Sequence, residues 1–146
     1  MMLIKKIVLI SAIIHDIGRC EDIPGGHTAI TENGLAKYLP EDIASDGVCL
    51  GKIRSCVARH SISSKEKPET LIEKIIFDAD NLTIFTLFGF KRWFFKAESW
   101  GKSKTILEAE APLLRFHKDV IDGEFLYLLK SIEIAKKSFY FKSCQI

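Results

Sequence analysis

The stretch "KKIVLISAIIHDIGR", Lys5 to Arg19, decides the fold. Its apolar run is rich in β-branched residues, which favours a strand, yet its length and continuous apolarity suit a buried helix equally well. The rest of the chain tips the choice towards helix. From His27 onward Ile30, Leu35 and Tyr38 recur at helical spacing until Pro40, and in "GVCLGKIRSCVARH" Ile53, Cys56 and Val57 stand at i, i+3 and i+4. After Pro68, "PETLIEKIIFDADNL" places a proline and two glutamates where a helix N-terminus favours them, which predicts a helix running on towards Phe95. "SKTILEAEAPLLRFHKDVID" and "GEFLYLLKSIEIAKKSFYF", separated by Gly123, complete the set. No segment alternates convincingly with period 2. The expectation is an all-α fold, a compact bundle of five to seven helices in one domain spanning residues 1–146.

Composition narrows the function classes. With 21 basic and 19 acidic residues the net charge is only +2, too small to argue for nucleic acid or a membrane surface as the main partner. Cys20, Cys49, Cys56 and Cys144 form no C-x-x-C pair, so neither a zinc knuckle nor a disulfide framework is indicated, and reduced thiols in a cytoplasmic protein are expected. The N-terminal run mimics a signal peptide but lacks a small-x-small cleavage site. It is also too short to span a bilayer. The segment "FGFKRWFFKAESWGKSK" interleaves Lys91, Arg92, Lys96, Lys102 and Lys104 with Trp93 and Trp100, a mixture that can stack a nucleotide. Its more ordinary reading is an amphipathic helix end with snorkelling lysines.

Candidate chemistry comes from polar residues on apolar faces. His60 extends the inward stripe Ile53, Cys56, Val57. Asp80 falls on the stripe Ile72, Ile76, Ala79, where a carboxylate costs several kcal/mol unless paired or bound to a cation. Asp78, beside Lys74, reads as a solvated surface residue, and so does His117 in "LLRFHKD". His27 follows Gly25 and Gly26 at a helix start, where the dipole disfavours imidazolium and leaves a neutral ring. Each has an ordinary structural role: a buried histidine is commonly a hydrogen-bonded core residue, and Asp80 could pair with Arg54 or Arg59. Together, His15, Asp16, His27, His60 and Asp80 make a mixed N/O set of the kind that holds magnesium or a divalent transition ion.

"HDIGR", "HTAITENGLAKYL", "CVARHS" and "PETLIEKIIFDADNLTIFTLFGFKR", in this order over about residues 8 to 95, resemble the HD-domain superfamily of metal-dependent phosphohydrolases, in its soluble single-domain branch. The resemblance implies that His15 and Asp16 bind a divalent ion (Mn, Mg, Fe, Ni and Zn are not distinguished) with Asp80 as the distal ligand. It further implies that His27 and His60 take a second ion or face the phosphate. Arg19, after the H-D-I-G turn, is the phosphate-binding candidate, and Asp16, Arg19 and His27 are the catalytic ones. The expected activity is hydrolysis of a small phosphate ester, with nucleotides among the candidates. The alternative is a catalytically impaired relative serving as a binding or interaction module. Two departures stand out. No histidine precedes His15, whereas the family carries its first ligand on an upstream helix; "NLTIF" follows Asp80 where relatives tend to carry a base and another acid. The missing upstream helix would bare an apolar face on the first helix: either the chain is a shortened or decayed member, or another copy or a fragment covers that face, a homo-oligomer being one such arrangement.

Overall fold

A computed structural model describes residues 2–20, 27–62 and 64–86, then 88–89, 91–92, 94–95, 105, 108, 115, 118–120, 122 and 125–143. Every described element is helical, and no strand occurs among the described residues. Helix α1 spans Met2–Ile14 and leads into a 3-10 turn at Ile17–Cys20; a second 3-10 turn, His27–Ala29, precedes α2 (Glu32–Ala36), α3 (Glu41–Ala44) and α4 (Gly47–Arg59). Helix α5 covers Leu71–Leu82, followed by a 3-10 turn at Thr83–Phe85, and α6 covers Leu129–Ser143. No described helix is long and apolar enough to cross a membrane. The contacts divide the chain into two compact units, Met1–Phe77 and Asp78–Ile146.

The first unit is organised around α4. Asp46 is its N-cap, accepting from the backbone N–H groups of Val48 (2.9 Å) and Cys49 (3.1 Å), so the helix starts where its unpaired donors find a carboxylate. Helices α1, α2 and α3 all pack on α4. The core joins Ile7 and Ile14 of α1 to Ile30, Leu35, Ile43, Cys49, Leu50, Ile53 and Val57. Ile7, Ser11 and Ile14 are the buried positions of α1, at offsets 0, 4 and 7, which settles the ambiguous run as an amphipathic helix. Its opposite side leaves Leu9 and Ile13 64% and 81% exposed, with Leu3 and Ile4 about half exposed. Cys49 and Cys56 are buried free thiols and Cys20 an exposed one; burial pushes the Cys56 thiol up to about 11, an unreactive state.

An ion-pair network ties the end of α4 to the start of α5. Thr70 and Glu73 form a reciprocal capping box: Glu73 N–H donates to Thr70 Oγ1 (3.3 Å) and Thr70 N–H to Glu73 Oε2 (3.0 Å). The same carboxylate accepts from Ser55 Oγ (2.6 Å), Glu69 N (2.7 Å) and Arg59 Nη1 (3.2 Å), and Arg59 also pairs with Glu66 and Glu69. Arg59 immediately precedes His60, so the network fixes the backbone from which that ring projects.

The second unit corrects one expectation. Asp78, read as a solvated surface residue, is 1% exposed. Its carboxylate accepts from the backbone N–H groups of Tyr127 (3.0 Å) and Leu128 (2.8 Å), capping the entry to α6 from 49 and 50 residues away in sequence. Removing a buried carboxylate that satisfies two partly buried donors typically costs about 2–3 kcal/mol. Helix α5 is also shorter than its periodicity suggests. Thr83 Oγ1 donates to the Asp80 carbonyl (2.7 Å) and Thr86 N–H to the Thr83 carbonyl (3.1 Å), after which Thr86 is extended. The last helix begins at Leu129 rather than near Gly123. His117, Trp93, Trp100, Lys96, Lys102, Lys104 and Cys144 lie outside the described residues, as does most of 103–122.

The Glu73 carboxyl supplies a pH test of this network. Burial raises its pKa, but the Ser55 hydroxyl, the Thr70 and Glu69 amides and Arg59 outweigh burial and hold it at about 2, against 4.5 for a free side chain. A depressed folded pKa gives stability that is complete above the unfolded value and lost as pH falls towards the folded one. Glu73→Gln should therefore lose on the order of 2 kcal/mol at pH 7. In urea titrations the gap to wild type should close between about pH 5 and pH 2. A gap independent of pH would show that the carboxylate charge is not what matters.

Candidate metal centre

Two helix ends and one 3-10 turn bring the candidate residues of the first unit together. A helix leaves its last four carbonyls without intrahelical donors. At the end of α1 the His15 ring takes one of them, its Nδ1 lying 2.8 Å from the Ala12 carbonyl; at the C-cap of α4 the His60 ring does the same with Val57, at 2.7 Å. A carbonyl can only accept, so each Nδ1 carries the hydrogen. In the neutral ring the lone pair is then at Nε2. This is the orientation of histidine ligands whose second nitrogen is tied to a carbonyl.

Those Nε2 atoms face Asp16. His60 Nε2 is 3.4 Å and His27 Nε2 3.5 Å from Asp16 Oδ1, and His15 Nε2 is 3.9 Å from Asp16 Oδ2. The rings also meet edge to face, His15 with His60 at a centroid distance of 5.0 Å and His27 with His60 at 5.2 Å. Ligand atoms of His15, Asp16 and His60 all lie within 4.8 Å of one another. Two ligands each about 2.1 Å from one ion stand at most about 4.2 Å apart, so the group needs only a small contraction to share a cation. His60 is 1% exposed, while His15, Asp16 and His27 remain partly open to solvent. A deep anchor with an accessible rim suits a site that must admit a ligand.

Electrostatics favour a cation here. The carbonyl ends of α1 and α4 point their negative dipole ends at the cluster. Burial raises the Asp16 carboxyl, but the hydrogen bond and charge of Arg19, foremost among the opposing groups, hold it below the usual carboxylate range. Arg19 Nε stands 2.7 Å from Asp16 Oδ1, an i, i+3 pair on the 3-10 turn. The donor chemistry therefore fits a divalent ion: imidazole nitrogens with fixed tautomers beside an ionised carboxylate.

The sequence placed His15, Asp16, His27 and His60 as ligands, and these are the four that converge. Asp80 belongs to the second unit, half-buried on α5, and its neighbour Ala79 is exposed, so the inward stripe drawn through both is displaced. Residues Glu73, Ile76, Phe77, Asp78 and Asn81 are the buried ones of α5. The two charged ones, Glu73 and Asp78, accept from backbone N–H groups; for Glu73 alone the signal was present, in the Thr70-x-x-Glu73 spacing. His27 sits on a three-residue 3-10 turn, too short for the helix dipole expected to keep it neutral. Its place beside Asp16 comes from Gly18. A β-carbon on Gly18 would lie 2.1 Å from the His27 carbonyl oxygen, so only glycine lets the two 3-10 turns pack. No protein-family model, curated protein or solved structure matches this chain.

Gly18→Ala should therefore separate His27 from Asp16 while leaving α1 and α4 in place. The expected result is a shifted His27 imidazole resonance in NMR spectra with the His60 resonance little changed. Unaltered spectra for both rings would show that the close approach is not required.

Proposed function

We propose that this chain is a metal-dependent phosphohydrolase acting on a small phosphate ester, nucleoside monophosphates among the candidates. The single observation that carries this reading is the convergence of the His15, His27 and His60 Nε2 atoms on the Asp16 carboxylate. The resemblance of the motifs around those residues to HD-domain phosphohydrolases gives it a reaction class.

A divalent ion bound at this centre supplies Lewis-acid polarisation of a phosphoryl oxygen and activates water at neutral pH. His15, His60 and Asp16 are the residues that would hold it. Asp16 Oδ1 faces His27 as well as His60, so His27 would be a further donor beside the same carboxylate. Arg19, with a half-exposed side chain at the rim, carries the fork that suits a phosphate oxygen. Buried His60 needs no movement on substrate binding, because its Nδ1 bond to Val57 already fixes the ring. The distal role that the resemblance gives Asp80 is a separate proposal that the first-unit cluster does not require.

A second reading, a binding or interaction module built on the same fold, is favoured by the exposed apolar side of α1, where Leu9 and Ile13 are more than half exposed. Turnover separates the two. Wild-type protein supplied with manganese should hydrolyse phosphomonoesters, and Asp16→Asn should lose on the order of a hundredfold in rate or more while keeping its helical circular dichroism. Equal activity in the folded variant would remove the metal mechanism, and no activity in either would leave the interaction module standing. Asp80→Asn, assayed alongside, tests the resemblance alone.

A further inference from the structure

The centre contains its own competitor for the cation. Arg19 Nε is 2.7 Å from Asp16 Oδ1, the same oxygen that faces His60 Nε2 at 3.4 Å and His27 Nε2 at 3.5 Å. A divalent ion using that oxygen would meet a full positive charge within about 4–5 Å, a repulsion that persists even in a partly solvated site. The backbone of the turn is not free to relieve it. Arg19 N–H donates to the Asp16 carbonyl (2.9 Å), and Gly18 is wedged against the backbone of His27. The Arg19 side chain, 45% exposed, is the part able to move.

We infer that Arg19 is a latch: in the metal-free protein its guanidinium stands in for the cation, holding the Asp16 carboxylate aimed at the histidines, and a divalent ion binds by displacing it. The inference rests on the metal reading above. The latch keeps the donors preorganised without a bound ion, at the cost of weakened affinity for it. Release of the guanidinium leaves Arg19 anchored by its backbone at the rim, so its side chain becomes available to solution only once the ion is in place.

The test is calorimetric titration of manganese into wild-type, Arg19→Met and Arg19→Lys proteins, with thermal unfolding to confirm that each is folded. Arg19→Met removes the charge and should bind manganese roughly tenfold more tightly than wild type, the scale expected for one partly screened charge near a divalent ion. Arg19→Lys keeps the charge and should stay close to wild type. Binding by Arg19→Met alone, with none detected in wild type, also supports the latch, because the guanidinium then blocks the site outright. If wild type binds manganese and Arg19→Met binds equally or more weakly, Arg19 only positions Asp16: the latch is overturned while the metal centre stands. If none of the three binds, both the metal centre and the latch are overturned.

Discussion

Where α1 and α4 end, each leaves carbonyls that no further turn of helix can satisfy, and each time an imidazole supplies the donor. His15 takes the carbonyl of Ala12 and His60 that of Val57. One local requirement of helix termination thereby sets two tautomers and aims two lone pairs at the same carboxylate. The site follows from how the helices stop as much as from what they are made of. Arg19 completes the balance of charge around Asp16 in a chain whose net charge is close to neutral.

Rigidity at that point has identifiable sources. Helix α4 is held by α1, α2 and α3 on its apolar sides, and its last turn is fastened to α5 through Arg59, Ser55 and the buried Glu73 carboxylate. His60 is the next residue after Arg59. The Glu73 network therefore acts on the ring's backbone without touching the ring, a division of labour that keeps the ionic network away from the donor cluster. On the opposite approach, Gly18 permits a backbone contact that any β-carbon would forbid, and this contact carries His27 into range of Asp16.

Much of this was legible in the sequence, for reasons that can be named. The helical class and the inward direction of His60 follow from spacing, because Ile53, Cys56, Val57 and His60 lie on one face and all four are buried. His15 and Asp16 were visible as polar residues closing an apolar run. Helix α5 was the harder case: the stripe drawn through Asp80 left Asp78 on the solvent side, whereas Asp78 is buried, as is Glu73, each satisfying backbone donors. For Glu73 the local Thr-x-x-Glu pattern carried the information. Asp78 bonds to Tyr127 and Leu128, and no periodicity within α5 encodes a partner so distant in sequence. Gly18 is similar. It reads as a residue that lets the chain turn away, whereas its necessity comes from the backbone of His27, which only the folded chain brings near.

The central claim is that these donors share a divalent cation, and locating that cation is its most direct test. Crystals grown with millimolar manganese and measured at the manganese absorption edge should give an anomalous peak within coordination distance of His15 Nε2, His60 Nε2 and the Asp16 carboxylate, with the Arg19 guanidinium moved off Asp16. A peak elsewhere, or none while Arg19 remains on Asp16, would contradict the account.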